Sequence, residues 1–470
     1  MGGNGVIQDR GRPGGEFAVR TRAGHTLVVL GWLVVYSLVA AVYASGQMTM
    51  GDLIPPAVIV FAFALWGYLR QGGPLVNASS VFCYATALFV AFPAAYAGIV
   101  GSTRAEAVGA GWLLVCLSLA VALMAVVLIV SSDAGPPART TSATMPLPAG
   151  ARPARRPLIS PATGWRLGGA LMAAALVLNH VDAAAWLRLP QSLGALSILV
   201  LTLALSESVS GATRALLLSG VLVTSALYYE FVFRSFGRLV LGSIVCTMAV
   251  IYSARRTNYV PKVILLAGTA PALVYLVQQR LAFVKETWGY QAPPGEGIAS
   301  VTGPFVSCAQ IASAYWDGVI SPTFGSTIWA TTVFWVPRSI WPGKPVGFGA
   351  EIVAITQPGN LDVPEFSDAA TIVGELIWNL GLVLIVGGMI LLALAIRWLD
   401  RRLGAISGPG PAERAATPVR MLALAVVIGG LVNLVWGGVF TFTTRAMGML
   451  VALGLFHLVF SRVRRERSRQ

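Results

Sequence analysis

Hydrophobic residues in this chain fall in long unbroken runs rather than in alternation. Windows of about 19 residues pick out twelve runs, near 26–45, 53–69, 79–99, 108–130, 166–181, 192–206, 213–229, 238–253, 262–279, 371–396, 419–439 and 443–461. A bilayer core takes roughly 20 apolar residues per helical span. The pattern therefore predicts an all-α polytopic membrane protein of about twelve transmembrane helices, with 192–206 the shortest span. The first run follows a basic head, residues 1–25, and is too long for the core of a cleaved leader, so it reads as a retained span.

Two segments interrupt the rhythm of short connections. Residues 131–165, which include GPPARTTSATMPLPAGARPARRP, are rich in Pro, Ala and Arg and poor in large apolar residues; they read as a flexible linker between the first four helices (26–130) and helices five to nine (166–279). Residues 280–370 form the one large loop, ahead of the last three helices (371–461) and a basic tail (462–470). Long loops in compact proteins are functional or disordered. Aromatic and short apolar stretches such as FVSCAQIASAYW and STIWATTVFWV predict short helices lying on the membrane surface or re-entering it. No internal repeat is visible.

Composition agrees with the membrane class. The 470 residues are 56% hydrophobic and 11% charged, against about a quarter charged in soluble domains. The net charge of +14 does not point to nucleic acid, because the basic residues sit in short loops between apolar runs, where they set topology. With the N-terminus placed in the cytoplasm, 24 of the 33 lysines and arginines fall on the cytoplasmic side and 12 of the 19 acidic residues on the outer side. Both termini are then cytoplasmic and the loop 280–370 is extracytoplasmic. Of the four cysteines, Cys83, Cys116 and Cys246 lie inside apolar runs and Cys308 is left without an evident partner, so neither redox nor metal chemistry is expected. His25, His180 and His457 show no metal-ligand spacing, and no cofactor is implied.

The charge bias makes the outward cations conspicuous, among them Arg234, Arg238, Arg280, Arg338, Lys344 and Arg445. Residues 335–349 read WVPRSIWPGKPVGFG. Prolines before Arg338 and on both sides of Lys344 stiffen the path, and Trp335 and Trp341 suit the headgroup interface. One reading is an interfacial anchor with snorkelling cations. The other is recognition of phosphate, which arginine grips bidentately at any relevant pH. At this depth the phosphate on offer is the diphosphate of a polyprenyl carrier, whose departure fixed cations promote without a metal.

The string PRSIWPGKP in a late external loop, followed by SDAATIVGELIWNLGLVLIVGGM with its GE…N.G pattern, resembles the signature of the oligosaccharide repeat-unit polymerases, the Wzy-type or O-antigen polymerase family. The resemblance covers about 55 residues; elsewhere only hydropathy is similar. It implies a metal-independent glycosyltransferase of the cytoplasmic membrane that moves a growing glycan from undecaprenyl diphosphate onto a new lipid-linked repeat unit on the outer face, working beside a flippase and a chain-length regulator. Arg338 and Lys344 would hold the pyrophosphate; Arg280 and Arg445 join them by position alone. A base for the acceptor hydroxyl is sought among Glu375, Glu351, Asp317, Asp362, Glu365 and Asp368. Glu375, one turn inside a span, is either that base or a structural partner of Arg445, and Glu351 is the next candidate. His180 with Asp182 reads as a base and its orienter or as an ordinary helix end. Trp335, Trp341, Tyr315 and Trp316 are placed to stack on sugar or to sit at the interface.

A ligase that delivers finished glycan to another acceptor would share these features. A twelve-helix transporter of glycan precursors is the reading from a different class; RQGGPLVNA after the second span lacks the Gly-Asp-Arg pattern of the major facilitators, and the spans are nearly uncharged at their centres. A membrane scaffold has no use for a stiff cationic loop.

Overall fold

The structure is a computed structural model and describes residues 14–44, 46–132, 157–181, 189–233, 238–256, 258–288, 296–362, 366–407 and 417–467. Every regular element among them is helical. Among these residues, fourteen helices of eight or more residues carry the architecture: α1 Gly14–Ala44, α2 Ile54–Arg70, α3 Ala78–Val100, α4 Ala110–Ser131, α5 Pro161–Leu178, α6 Leu189–Glu207, α7 Gly211–Val232, α8 Arg238–Arg255, α9 Val260–Trp288, α10 Glu296–Trp316, α11 Ser326–Val333, α12 Thr371–Ser407, α13 Pro418–Gly429 and α14 Leu431–Arg467.

Eight of these are long and apolar enough to cross a membrane: α1, α2, α3, α4, α6, α7, α12 and α14. Three more apolar helices, at 239–255, 260–275 and 418–429, are shorter. The run at 192–206, brief in the sequence, is the most enclosed of the eight, with 78% of its window buried. Protein rather than lipid surrounds it.

Local signals start several of the helices. Asn77 accepts the Ser80 N–H at 3.0 Å while Ser80 Oγ reaches back to the Asn77 N–H at 2.9 Å, a reciprocal cap for α3. Ser160 and Thr417 cap α5 and α13, each followed by a proline at the first helical position, where a missing N–H costs nothing. Small residues then set the packing. The glycines of GWRLG let α5 lie close along α6: a Cβ on Gly164 would overlap that of Ala204, and one on Gly168 would come within 2.7 Å of Leu201 Cγ. This is the small-xxx-small packing of helices in lipid.

Residues 280–370 depart in part from the expectation of short surface helices: α11 is short, at eight residues, but longer helices also occupy the segment. α9 runs on to Trp288, and α10 is a 21-residue helix whose Phe305, Cys308, Ala309, Ile311 and Ala312 are buried in the core. Cys308, expected to be alone, lies with its Sγ 3.3 Å from Cys116 Sγ on α4. Arg104 ties the same helix down, donating to Ser307 Oγ and Gln310 Oε1 at 2.8 Å and pairing with Asp368 at 3.3 Å.

A second polar cluster joins residues from distant parts of the chain. Lys262, fully buried, donates to the carbonyls of Tyr68 (2.6 Å) and Gln71 (2.7 Å) at the end of α2. Asp400, also buried, accepts the N–H groups of Ala78 (2.6 Å) and Ser79 (3.2 Å) and the Ser79 hydroxyl at the start of α3. A cation thus caps a helix C-terminus and an anion a helix N-terminus, each matching the helix dipole. Asp400→Ala would leave three buried donors unsatisfied, at about 1–3 kcal/mol apiece. We expect a loss of about 4 kcal/mol in stability, read by thermal unfolding in nanodiscs, whereas a surface change such as Arg401→Ala is expected to be close to neutral.

Candidate functional site

The site forms where two interrupted helices meet. α12 breaks at Gly381 (φ 66°, ψ 178°) and α14 at Gly438 (φ 79°, ψ −171°). At the first break the carbonyls of Trp378 and Asn379 accept the Thr323 and Phe324 N–H groups at 3.0 and 2.9 Å, so the chain leading into α11 completes the interrupted ladder. A Cβ on Gly381 would come within 2.6 Å of the Tyr315 hydroxyl. At the second break, the N–H of Val439 is released and points at Glu375 Oε2. The other Glu375 oxygen accepts the Thr327 hydroxyl at 2.9 Å. Asn379, one turn beyond Glu375, donates to Thr327 Oγ1 at 2.7 Å and to the Glu375 carbonyl at 2.9 Å. Glu375, Asn379 and Thr327 are all buried. The carboxylate therefore caps the new helix start at Val439, which explains its presence in an apolar run.

Glu351 lies above this cluster and is half-buried. The Trp378 indole N–H donates to its Oε2 at 2.8 Å, and Ser326 Oγ is 3.3 Å away. Trp378 thus links the two carboxylates: its ring holds Glu351, and its own backbone belongs to the turn that carries Glu375. Non-glycine residues with positive φ occur at two places among the described residues, Phe324 (48°) and Thr371 (52°), on the two segments that enter the site. Backbone strain of this kind concentrates at functional positions.

The loop 334–348 packs over the same region. Gly347 rests against the Phe440 ring with no room for a side chain, and Phe348 meets Trp378 edge-on at 6.4 Å. Lys344 turns inward: its Nζ donates to the carbonyls of Phe334 (2.9 Å) and Val336 (2.8 Å), closing the loop on itself. Partial desolvation, and then the charge of Arg338, lower its pKa below the ordinary lysine value. Arg338 turns outward and is exposed, with one hydrogen bond, to the Pro342 carbonyl at 3.2 Å. The two cations that the sequence places together have different occupations: Lys344 braces the loop and Arg338 is presented by it.

The other expected site residues divide. Trp335 and Trp341 are exposed on the loop. Tyr315 is half-buried against the Gly381 break, while Trp316 is exposed and sits beside Trp112 at 6.2 Å. Arg445 donates to Asn433 Oδ1 at 2.6 Å and lies over the Trp436 ring at 5.6 Å. Asp317 is exposed and takes the Ser313 hydroxyl at 3.1 Å. Asp368 belongs to the Arg104 cluster, and Asp362 is exposed. Arg280 lies on α9 with its side chain outside the described residues; Arg234, Glu365 and Asp182 lie outside them altogether, and His180 is exposed at the end of α5. Thr327 is not legible from the sequence, since a threonine among threonines carries no signal. Asn379 is within reach of sequence reasoning, four residues from Glu375 in the GE…N.G pattern and so on the same helix face.

The fold defines a polytopic helical membrane protein. No family model, no curated protein and no solved structure matches the chain.

Proposed function

We propose that this chain is a membrane glycosyltransferase that polymerises undecaprenyl-diphosphate-linked oligosaccharide repeat units on the outer face of the cytoplasmic membrane. Twelve spans, cytoplasmic termini and an outward segment 280–370 are parts of this reading. So are a flippase upstream and a chain-length regulator alongside.

The observation that carries it is the packing of the end of the Arg338 loop, at Gly347 and Phe348, against the two-carboxylate cluster. The loop that carries Arg338 and Lys344 leads into Phe348, whose ring meets Trp378 edge-on, and Trp378 in turn donates to Glu351. GE…N.G is thereby linked, through Trp378 and Phe348, to the segment that directly follows PRSIWPGKP. Arg338 would stabilise the departing diphosphate. Glu351, the carboxylate accessible from the surface, would take the proton of the acceptor hydroxyl as that oxygen attacks the anomeric carbon. Glu375 would hold the floor of the site through Val439 and Thr327 rather than touch substrate. Lys344 keeps the loop in shape.

A second reading has one observation in its favour. Interrupted helices meeting at a buried carboxylate are also how transporters build substrate sites. One assay separates the two. Arg338→Ala is expected to cut long-chain surface glycan at least tenfold and to accumulate single lipid-linked repeats on the outer leaflet, open to a periplasmic glycosidase. Normal chain lengths would overturn the polymerase reading. Accumulated repeats shielded on the cytoplasmic leaflet would favour transport, and polymer made but left unattached would favour a ligase.

A further inference from the structure

The segment from Gly318 to Pro337 contains no charged residue, yet much of it is uncovered. Phe324 is 78% exposed, Trp335 69% and Ile340, just beyond, 75%, with Trp329 and Ile328 exposed on α11. α11 is not amphipathic in the ordinary sense. Its inner side, Thr327, Ala330 and Val333, is buried, and its outer side is apolar as well. The polar groups on that outer side are turned back onto the segment's own backbone. Thr331 Oγ1 donates to the Ile328 carbonyl at 2.6 Å, Thr332 Oγ1 to the Trp329 carbonyl at 2.9 Å, and the Trp335 indole N–H to the Thr332 carbonyl at 2.8 Å. Such back-bonds form in helices generally, and they leave this outer face without an unpaired donor, as a surface facing hydrocarbon requires.

Its height relative to the bundle is fixed by α12. The uncovered stripe on that helix runs through Val383, Leu384, Val386, Leu391, Leu394 and Trp398. Trp398 marks one end, with the Arg402 guanidinium 5.3 Å above its ring. The fifteen-residue step from Val383 to Trp398 is about 22 Å at 1.5 Å per residue. Phe324 is bonded to Asn379, four residues before Val383 across the Gly381 break, which puts the aromatic segment near the opposite end of that stripe from Trp398. An aromatic–cation border at one end and an aromatic segment at the other are the two interfacial belts of a membrane protein.

We propose that residues 324–341 form an interfacial anchor: α11 lies in the plane of the membrane with Phe324, Ile328 and Trp329 in the acyl–headgroup boundary, and Trp335, Ile340 and Trp341 enter the same leaflet at the loop tip. The partner is the phospholipid leaflet itself. Arg338, between these apolar residues, is thereby held at the depth of the phosphates. This goes beyond the glycosyltransferase reading and does not depend on it.

The test uses the full chain in phosphatidylcholine–phosphatidylglycerol nanodiscs. All four native cysteines are buried, so a single introduced cysteine takes an NBD label selectively. Labels at Trp329→Cys and Ile340→Cys are compared with Ala162→Cys at the exposed start of α5. Lipids brominated near the glycerol end of the acyl chain are expected to quench the first two at least threefold more than the reference, and aqueous iodide at least threefold less. Iodide quenching equal to that at position 162, with no effect of brominated lipid, would overturn the proposal. A second variant guards against label artefacts. Trp335→Ser combined with Trp341→Ser is expected to raise amide exchange across 324–345 at least tenfold in nanodiscs, and unchanged exchange would count against the anchor. Neither measurement reads glycan synthesis, so its outcome is separate from the fate of the polymerase reading.

Discussion

Glu351→Gln is expected to lower glycan chain extension by about 10²–10⁴-fold, the contribution of a positioned general base, with little change in stability. The amide keeps the size of the carboxylate and can still accept the Trp378 indole N–H that Glu351 receives at 2.8 Å. Ser326 Oγ, at 3.3 Å, can adapt to either group. What glutamine cannot do is accept a proton from an attacking hydroxyl. In a membrane fraction supplied with lipid-linked repeat units, the variant should leave those units unextended while its melting temperature in detergent stays near that of the parent. Chain extension within threefold of the parent would remove Glu351 from the chemistry and, Glu375 being buried, would leave the site without a base open to substrate.

Gly438→Ala is expected to be the most damaging single substitution in the helical framework. The residue has φ 79° and ψ −171°, a region that is essentially glycine's alone and that costs other residues about 1–3 kcal/mol. A Cβ at this position would also overlap Glu375 Oε2. Either the break straightens or the carboxyl group leaves its seat, and in both cases the Val439 N–H and the Thr327 hydroxyl lose a buried acceptor. The combined effect is about 4 kcal/mol or more, visible as a large fall in the detergent melting temperature. Activity falls with it, because α11 and α12 are held together through Thr327, Glu375 and Asn379. A melting temperature within a degree of the parent would show that the break does not depend on glycine.

Much of this arrangement is legible in the amino-acid sequence, and the illegible part has a common cause. Long apolar runs dictate helices because lipid leaves backbone groups no other partners, and Ser, Thr and Asn followed by proline or a reciprocal hydroxyl mark several helix starts. The i, i+4 spacing of Glu375 and Asn379 likewise places them on one helix face by periodicity alone. A sequence does not say where a side chain turns. Lys262 counts as a topogenic cation in the charge pattern, yet it is buried on the carbonyls of α2. Lys344, expected to grip phosphate beside Arg338, spends its ammonium on Phe334 and Val336. Thr327 meets Glu375 across 48 residues of chain, and Cys116 meets Cys308 across 192; such contacts arise from packing of helices that no local pattern encodes. The anchor and phosphate readings of WVPRSIWPGKPVGFG, alternatives in the sequence, need not exclude each other, since Arg338, Trp335, Ile340 and Trp341 are all exposed.

The clasp that Asp400 makes on the start of α3 also sets a timetable for biogenesis. Ala78 and Asp400 are separated by 322 residues, and ribosomes deliver about 5–20 residues per second. The hairpin of α2 and α3 therefore enters the bilayer with its turn unfinished and waits roughly 16–64 s for the residue that closes it. During that interval the exposed amides of Ala78 and Ser79 depend on water or an insertase for company. A ribosome that stalls before α12 leaves the α2–α3 hairpin without the carboxylate that caps it.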